Sequence, residues 1–199
     1  MALLVIGVLF WSGLHLLPSA GISVRTILIE RLGSAYQGLF ALGIISCVVL
    51  MVLGWRSAPP TVVYTPPAWG SLAANVLVFL ALLLFAASAM ATNIKRIIRH
   101  PQLAGVATWG VAHLLGNGEL RSLVLFGGLA LWSVAAMVFI NRRDGAREEP
   151  QPQPLSDEWK PLAAALVGFV VLYVVHPYIS GVPATPHLSP RPRPTPPYR

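Results

Sequence analysis

The side chains in this sequence best suited to chemistry are its five histidines, since neutral imidazole binds metals and exchanges protons near neutral pH. His15, His113 and His176 lie in apolar runs, His100 lies in a basic loop, and His187 lies in a proline-rich tail. No charged residue occupies the middle of any apolar run, which leaves a carboxylate proton relay and a voltage sensor unsupported. Two imidazoles on different helices, at like depth in an apolar pocket, are what axial ligation of a haem iron needs. At the helical rise, His15 lies about 21 Å from the outer end of its run and His113 about 15 Å from the inner end of its own, so their depths overlap. His176, about 23 Å from the inner end, falls near the outer surface, and His100 is a shallower substitute for either ligand. Gly13, Gly105 and Gly110 flank the pair with no side chain to obstruct a flat ring, although small residues also simply let helices pack. Arg96 and Arg99 suit haem propionates or an anionic lipid headgroup, and serve equally to set topology.

The elements that must position these residues are membrane-spanning helices. The 199 residues are 55% hydrophobic and only 11% charged, with mean hydropathy +0.68, against about a quarter charged in a soluble domain. An ordinary water-soluble protein is excluded. Apolar runs at residues 1–17, 36–55, 69–91, 103–115, 120–140 and 161–179 predict an all-α, polytopic transmembrane bundle of six spans. The fourth run is short, covering about 20 Å of a hydrocarbon core of about 30 Å. Pro18-Ser19-Ala20 resembles a cleavage site, but no basic residue precedes Arg25, so the first run is expected to remain as a span. Residues 21–35 read as a polar connector and 141–160 as a mobile charged loop. Residues 1–181 form the membrane domain, and 182–199 a disordered tail rich in Pro and Arg.

Arg25, Arg31, Lys95, Arg96, Arg99, Arg142, Arg143, Arg147 and Lys160 fall in the first, third and fifth connections. Only Arg56 and Arg121 fall in the second and fourth. By the positive-inside rule the first set is cytoplasmic and both termini lie outside. The same bias explains the net charge of +7 better than a nucleic-acid partner does. Cys47 stands alone, so no intrachain disulfide or CxxC cage exists, and it reads as a small buried hydrophobe. Asn117 and Glu119 read as part of a turn, and Trp55, Trp69, Trp159 and Tyr178 as interface anchors. The absence of a nucleophile elbow, P-loop, dinucleotide fingerprint or zinc-protease motif argues against hydrolases and nucleotide-driven pumps.

The segment IIRHPQLAGVATWGVAHLLGNGELRSLVLFGG at 97–128 resembles the signature region of the NnrU family of integral membrane proteins. GLHLLPS at 13–19, LGSAYQGLFAL at 32–42 and VHPYISGV at 175–182 extend the resemblance over nearly the whole chain. It implies a bacterial inner-membrane protein associated with denitrification, that is, with active nitrite and nitric oxide reductases. Related 15-cis-zeta-carotene isomerases bind haem b and isomerise a polyene; their haem histidines match His15 and His113. Those enzymes carry a cysteine three residues before the second histidine, where this chain has Gly110. Three functions follow from the resemblance and the residues together. One is a haem b protein handling nitric oxide or electrons, one a haem-dependent polyene isomerase, and one a membrane scaffold without a cofactor.

Overall fold

The structure is a computed structural model that describes residues 1–181 and 184, so His187 and all but one residue of the expected tail lie outside the described residues. The described residues are all-α, as the composition predicts. Eight helices follow in order: α1 (Ala2–Leu16), α2 (Ile22–Leu32), α3 (Ala35–Ser57), α4 (Gly70–Ala89), the single turn α5 (Ile94–Ile97), α6 (Pro101–Gly116), α7 (Leu120–Asp144) and α8 (Trp159–Ser180). Four of them, α3, α4, α7 and α8, are long and apolar enough to cross a membrane. At 15 and 16 residues, α1 and α6 are shorter, so six spans is an approximate count. Hydrocarbon offers no partner for a bare polar group, and several hydroxyls along the helices accordingly bond to carbonyls of their own helix, although the buried Ser122 hydroxyl has no partner among the described residues. Ser12 donates to the Val8 carbonyl at 2.7 Å, Thr108 to Ala104 at 2.8 Å and Ser133 to Ala130 at 2.8 Å.

The main packing contacts run in the order α3, α1, α7, α6, α4, α8. The core lies between α1, α3 and α7, where Leu4, Val8, Cys47, Met51, Leu129, Trp132 and Ala136 are buried together; Cys47 is a core hydrophobe, as its context suggests. Between lipid-coated helices, close van der Waals contact replaces the hydrophobic driving force, and glycines permit it. A Cβ at Gly7 of α1 would stand 2.9 Å from the Met51 backbone nitrogen of α3. Near the start of α7, residues Leu123–Gly127 form a π turn that contains the buried Phe126.

The structure adds detail to three expectations. Residues 22–32 form a helix with no buried residue rather than an extended polar connector; its apolar Ile22, Val24, Ile27 and Ile29 are exposed beside Arg25 and Arg31. The fourth run lies within a 16-residue helix that Pro101 starts two residues before it, at a position where a missing N–H costs nothing, and that Gly116 extends by one. The charged loop makes specific contacts. α7 continues to Asp144, and the segment beyond is clasped to the 90–100 connection: Asn93 Nδ2 donates to the Gln153 carbonyl at 2.8 Å, and Gln153 N donates to Asn93 Oδ1 at 2.9 Å. Glu158, just ahead of α8, accepts from Thr92 Oγ1 at 2.6 Å and from Asn93 N at 2.7 Å.

These hydrogen bonds, the Asn93 backbone N–H first and then the Thr92 hydroxyl, hold the Glu158 carboxyl below its usual range. A depressed carboxylate stabilises the fold above its unfolded pKa of about 4.3, and that stability is lost as pH falls through the lower folded value. Glu158→Gln should therefore lower the melting temperature in detergent at pH 7, with the gap from wild type closing in acid. Gly7→Leu should cost about 1–3 kcal/mol by overpacking α1 against α3, measured as a reduced thermal midpoint.

Candidate functional site

Two of the apolar helices carry the same local device. Trp11 and His15 on α1, and Trp109 and His113 on α6, are each separated by four residues, so each histidine lies one turn beyond its tryptophan on the same helix face. His15 Nδ1 lies 3.0 Å from the Trp11 carbonyl oxygen, and His113 Nδ1 lies 2.9 Å from that of Trp109. A carbonyl only accepts, so Nδ1 carries the proton in both rings and Nε2 keeps a lone pair when the ring is neutral. Ligating histidines are commonly oriented this way, with the far nitrogen pinned to a carbonyl.

The two rings sit in different aromatic pockets. His15 stacks on Trp11 with centroids 4.0 Å apart, and meets Trp132 of α7 at 5.3 Å and Phe40 of α3 at 6.2 Å. Trp11 Nε1 and Trp132 Nε1 are buried and reach no acceptor among the described residues. His113 stacks on Phe126 of α7 at 4.2 Å, contacts Trp109 at 4.8 Å, and faces His176 of α8 at 6.4 Å with ring planes 26° apart. Ser180 Oγ stands 3.1 Å from His176 Nδ1 and donates to the His176 carbonyl at 2.9 Å.

The structure therefore brings His113 beside His176, and the expectation that His176 lies away from the pair is corrected. Both histidines sit near the C-terminal ends of helices that run in the same direction, and counting depth from unequal starting points obscured this. His15 and His113, the pair expected to face one another, share no ring contact: Trp132 of α7 touches one, and Phe126, six residues earlier on the same helix, touches the other. Phe126, Trp132 and His176 were not legible as neighbours in the sequence, whereas the repeated Trp-x-x-x-His spacing was a usable signal.

The other expected site residues divide. His100 Nε2 contacts Asn141 Oδ1 at 2.9 Å and Arg99 Nη1 donates to the Gly145 carbonyl at 2.8 Å, both at the start of α6, about 20 Å along the helix from His113. A Cβ on Gly13 would meet nothing within 4 Å, so that face of α1 is open. Gly105 and Gly110 are packing glycines. A Cβ at Gly105 would stand 3.1 Å from the Ala81 carbonyl oxygen, and one at Gly110 would stand 2.6 Å from that of Phe126 and 2.8 Å from Ala130 Cβ.

A strap fixes the end of α6 that carries His113. Val63 N donates to the Gly118 carbonyl at 2.8 Å, and Leu120 N to that of Thr61 at 2.8 Å. The Tyr64 hydroxyl donates between the carbonyls of Leu114 and Asn117, the latter at 2.9 Å, and burial pushes its phenol above the ordinary value. Asn117 Nδ2 caps the His113 carbonyl at 3.0 Å. Beside the strap Arg121 pairs with Glu119 at 2.6 Å and lies 4.5 Å over the Trp55 ring, which in turn meets Phe126 at 5.7 Å.

Among known families, the one described as NnrU protein matches residues 3–184 of the chain. No curated protein and no solved structure matches it.

Tyr64→Phe should remove the hydroxyl that satisfies the last carbonyls of α6, at about 1 kcal/mol, read as a lower thermal midpoint. Faster hydrogen exchange at residues 114–120 than in wild type would locate the loss at the strap.

Proposed function

The chain belongs to the NnrU family, and from that premise we propose that it is a multi-pass membrane protein that binds haem b and supports nitrogen-oxide metabolism. The family resemblance implies the bacterial inner membrane, and the basic connections support an orientation with both termini on the periplasmic face. The observation that carries the haem reading is the paired Trp-x-x-x-His device. Two intramembrane imidazoles have Nδ1 held by a carbonyl, leaving Nε2 as the metal-binding nitrogen. The donor chemistry fits a haem iron. His15 and His113 are the ligands that the family resemblance implies, and His176 is the imidazole that stands against His113.

Bound there, haem b would supply an iron centre able to accept an electron or take up nitric oxide. The chain's own part is orientation and exclusion. Trp11 and Trp109 fix the imidazole planes, Phe126 and Trp132 wall the pockets, and the strap through Tyr64 anchors the end of α6. The Trp11 and Trp132 indole N–H groups beside His15 lack acceptors among the described residues, and a ligand bearing one would satisfy them.

Gly110 argues for this role over polyene isomerisation. It stands where the isomerases resembled here carry a cysteine, and α7 packs directly against it, so a side chain there has no room. Thiolate control of the iron has no equivalent in this packing.

Detergent-purified protein, expressed with ample haem, should show a Soret band and sharp α and β bands on dithionite reduction, with shifts on adding nitric oxide. His113→Ala and His15→Ala should each lose most bound haem while still inserting into the membrane. His176→Ala should keep haem but alter the reduced spectrum. Full haem content in both His15→Ala and His113→Ala, or no Soret band in wild type, would overturn the reading. Gly110→Cys should cost about 1–3 kcal/mol of stability by overpacking, seen as a lower thermal midpoint.

A further inference from the structure

At the end of the bundle where the basic connections gather, a cavity of about 490 Å³ opens between the 90–100 connection, the start of α6 and the segment after α7. Lys95, Arg99, His100 and Arg147 line it, and no Asp or Glu does. Three nearby carboxylates are engaged by other groups, although Asp144 also lies in electrostatic reach of Arg99 and His100, and Glu148 pairs with none of the cavity cations among the described residues. Glu149 pairs with Arg96 at 2.6 Å, Asp144 with Arg143 at 2.6 Å, and Glu158 is taken up by Thr92 and Asn93. Lys95 and Arg147 have no carboxylate partner among the described residues. Arg99 gives one nitrogen to the Gly145 carbonyl, which anchors the guanidinium at the rim.

Two further features point to an anion. The 16-residue α6 begins in the cavity wall, and its N-cap residue His100 makes no side-chain capping bond, so the first-turn N–H groups at Gln102 and Leu103 are available to a ligand. The cationic residues also come from two separate connections that would repel one another. The Asn93–Gln153 exchange and the Arg96–Glu149 pair hold those connections together, so the convergence of positive charge is built into the fold.

We propose that this cavity is a binding site for a phosphate ester, with Lys95, Arg99 and Arg147 as the cationic contacts and the start of α6 as the backbone contact. Leu103 and Ile140, from the spanning helices α6 and α7, form the apolar part of the lining. That combination suits the headgroup of an anionic phospholipid, whose acyl chains would continue along those helices. A free phosphate offers the same charged group without the chains. The site stands apart from His113 by the length of α6 and does not rest on haem binding.

The test is native mass spectrometry of the full-length, detergent-purified protein titrated with phosphatidylglycerol, with phosphatidylcholine of the same chains, and with inorganic phosphate. A Lys95→Ala/Arg147→Ala variant is compared with an Arg25→Ala/Arg31→Ala variant that loses equal charge outside the cavity. Phosphatidylglycerol should bind in preference to phosphatidylcholine, and the cavity variant should weaken it about tenfold or more while the control variant does not. Lys95→Arg/Arg147→Lys keeps the charge and should keep the binding, which separates loss of the site from loss of the fold. Inorganic phosphate that binds wild type in place of the lipid, and is lost in the same cavity variant, would support the site and assign it to a soluble phosphate. Equal weakening in the cavity and control variants, or no binding of phosphate and no preference for phosphatidylglycerol, would overturn the proposal.

Discussion

In hydrocarbon a polar group has only the protein to bond to, and the rest of this structure follows from that constraint. The hydroxyls of Ser12, Thr108 and Ser133 return to carbonyls of their own helices. The histidines of α1 and α6 do the same with Nδ1, which is the step that turns a satisfied side chain into an oriented one. A ring that meets its own need through one nitrogen presents the other in a fixed direction. Local satisfaction and a fixed ring orientation are thus one arrangement, and tryptophan and phenylalanine rings flank both imidazoles.

The same constraint explains what surrounds the short helices. A 16-residue helix ends before the hydrocarbon core of about 30 Å is crossed, so its last carbonyls need partners from elsewhere in the chain. Tyr64, Asn117 and the strap at 61–64 supply them. Close contact through Gly7 and Gly110 then holds α1 to α3 and α6 to α7. With α6 and α8 both resting on α4, their C-terminal ends converge and His113 meets His176. Within the π turn of α7, Phe126 stands against His113 while Trp132, farther along, closes the pocket of His15. α7 is therefore the element common to both imidazole pockets.

The two ends of the bundle differ in chemistry. One end carries the His113–His176 pair beneath the Tyr64 strap. The other gathers the basic residues, with carboxylates that clasp connections together rather than neutralise Lys95 and Arg147. An intramembrane imidazole site and an interfacial anion site make different demands, one for a dry aromatic wall and the other for uncompensated charge at the surface.

The sequence by itself determined the class of the protein. Uninterrupted apolar runs placed α3, α4, α7 and α8 within a few residues of their observed limits, because bilayer thickness imposes a minimum length that composition reveals directly. Family motifs and the isolation of His15 and His113 among apolar residues made those two positions legible as candidates. Residues 22–32 were misread because a few charges looked like a connector, although Ile22, Val24, Ile27 and Ile29 keep an apolar helix at hand. The partners of the histidines were decided only by tertiary structure. Whether His113 faces His15 or His176 depends on where each helix starts and on how closely glycines let helices approach. The charged clasp likewise joins residues some sixty positions apart, such as Asn93 and Gln153. Hydropathy specifies how many residues are apolar in a row, but helix rotation and relative height are set by side-chain interlocking between helices, which no single run contains.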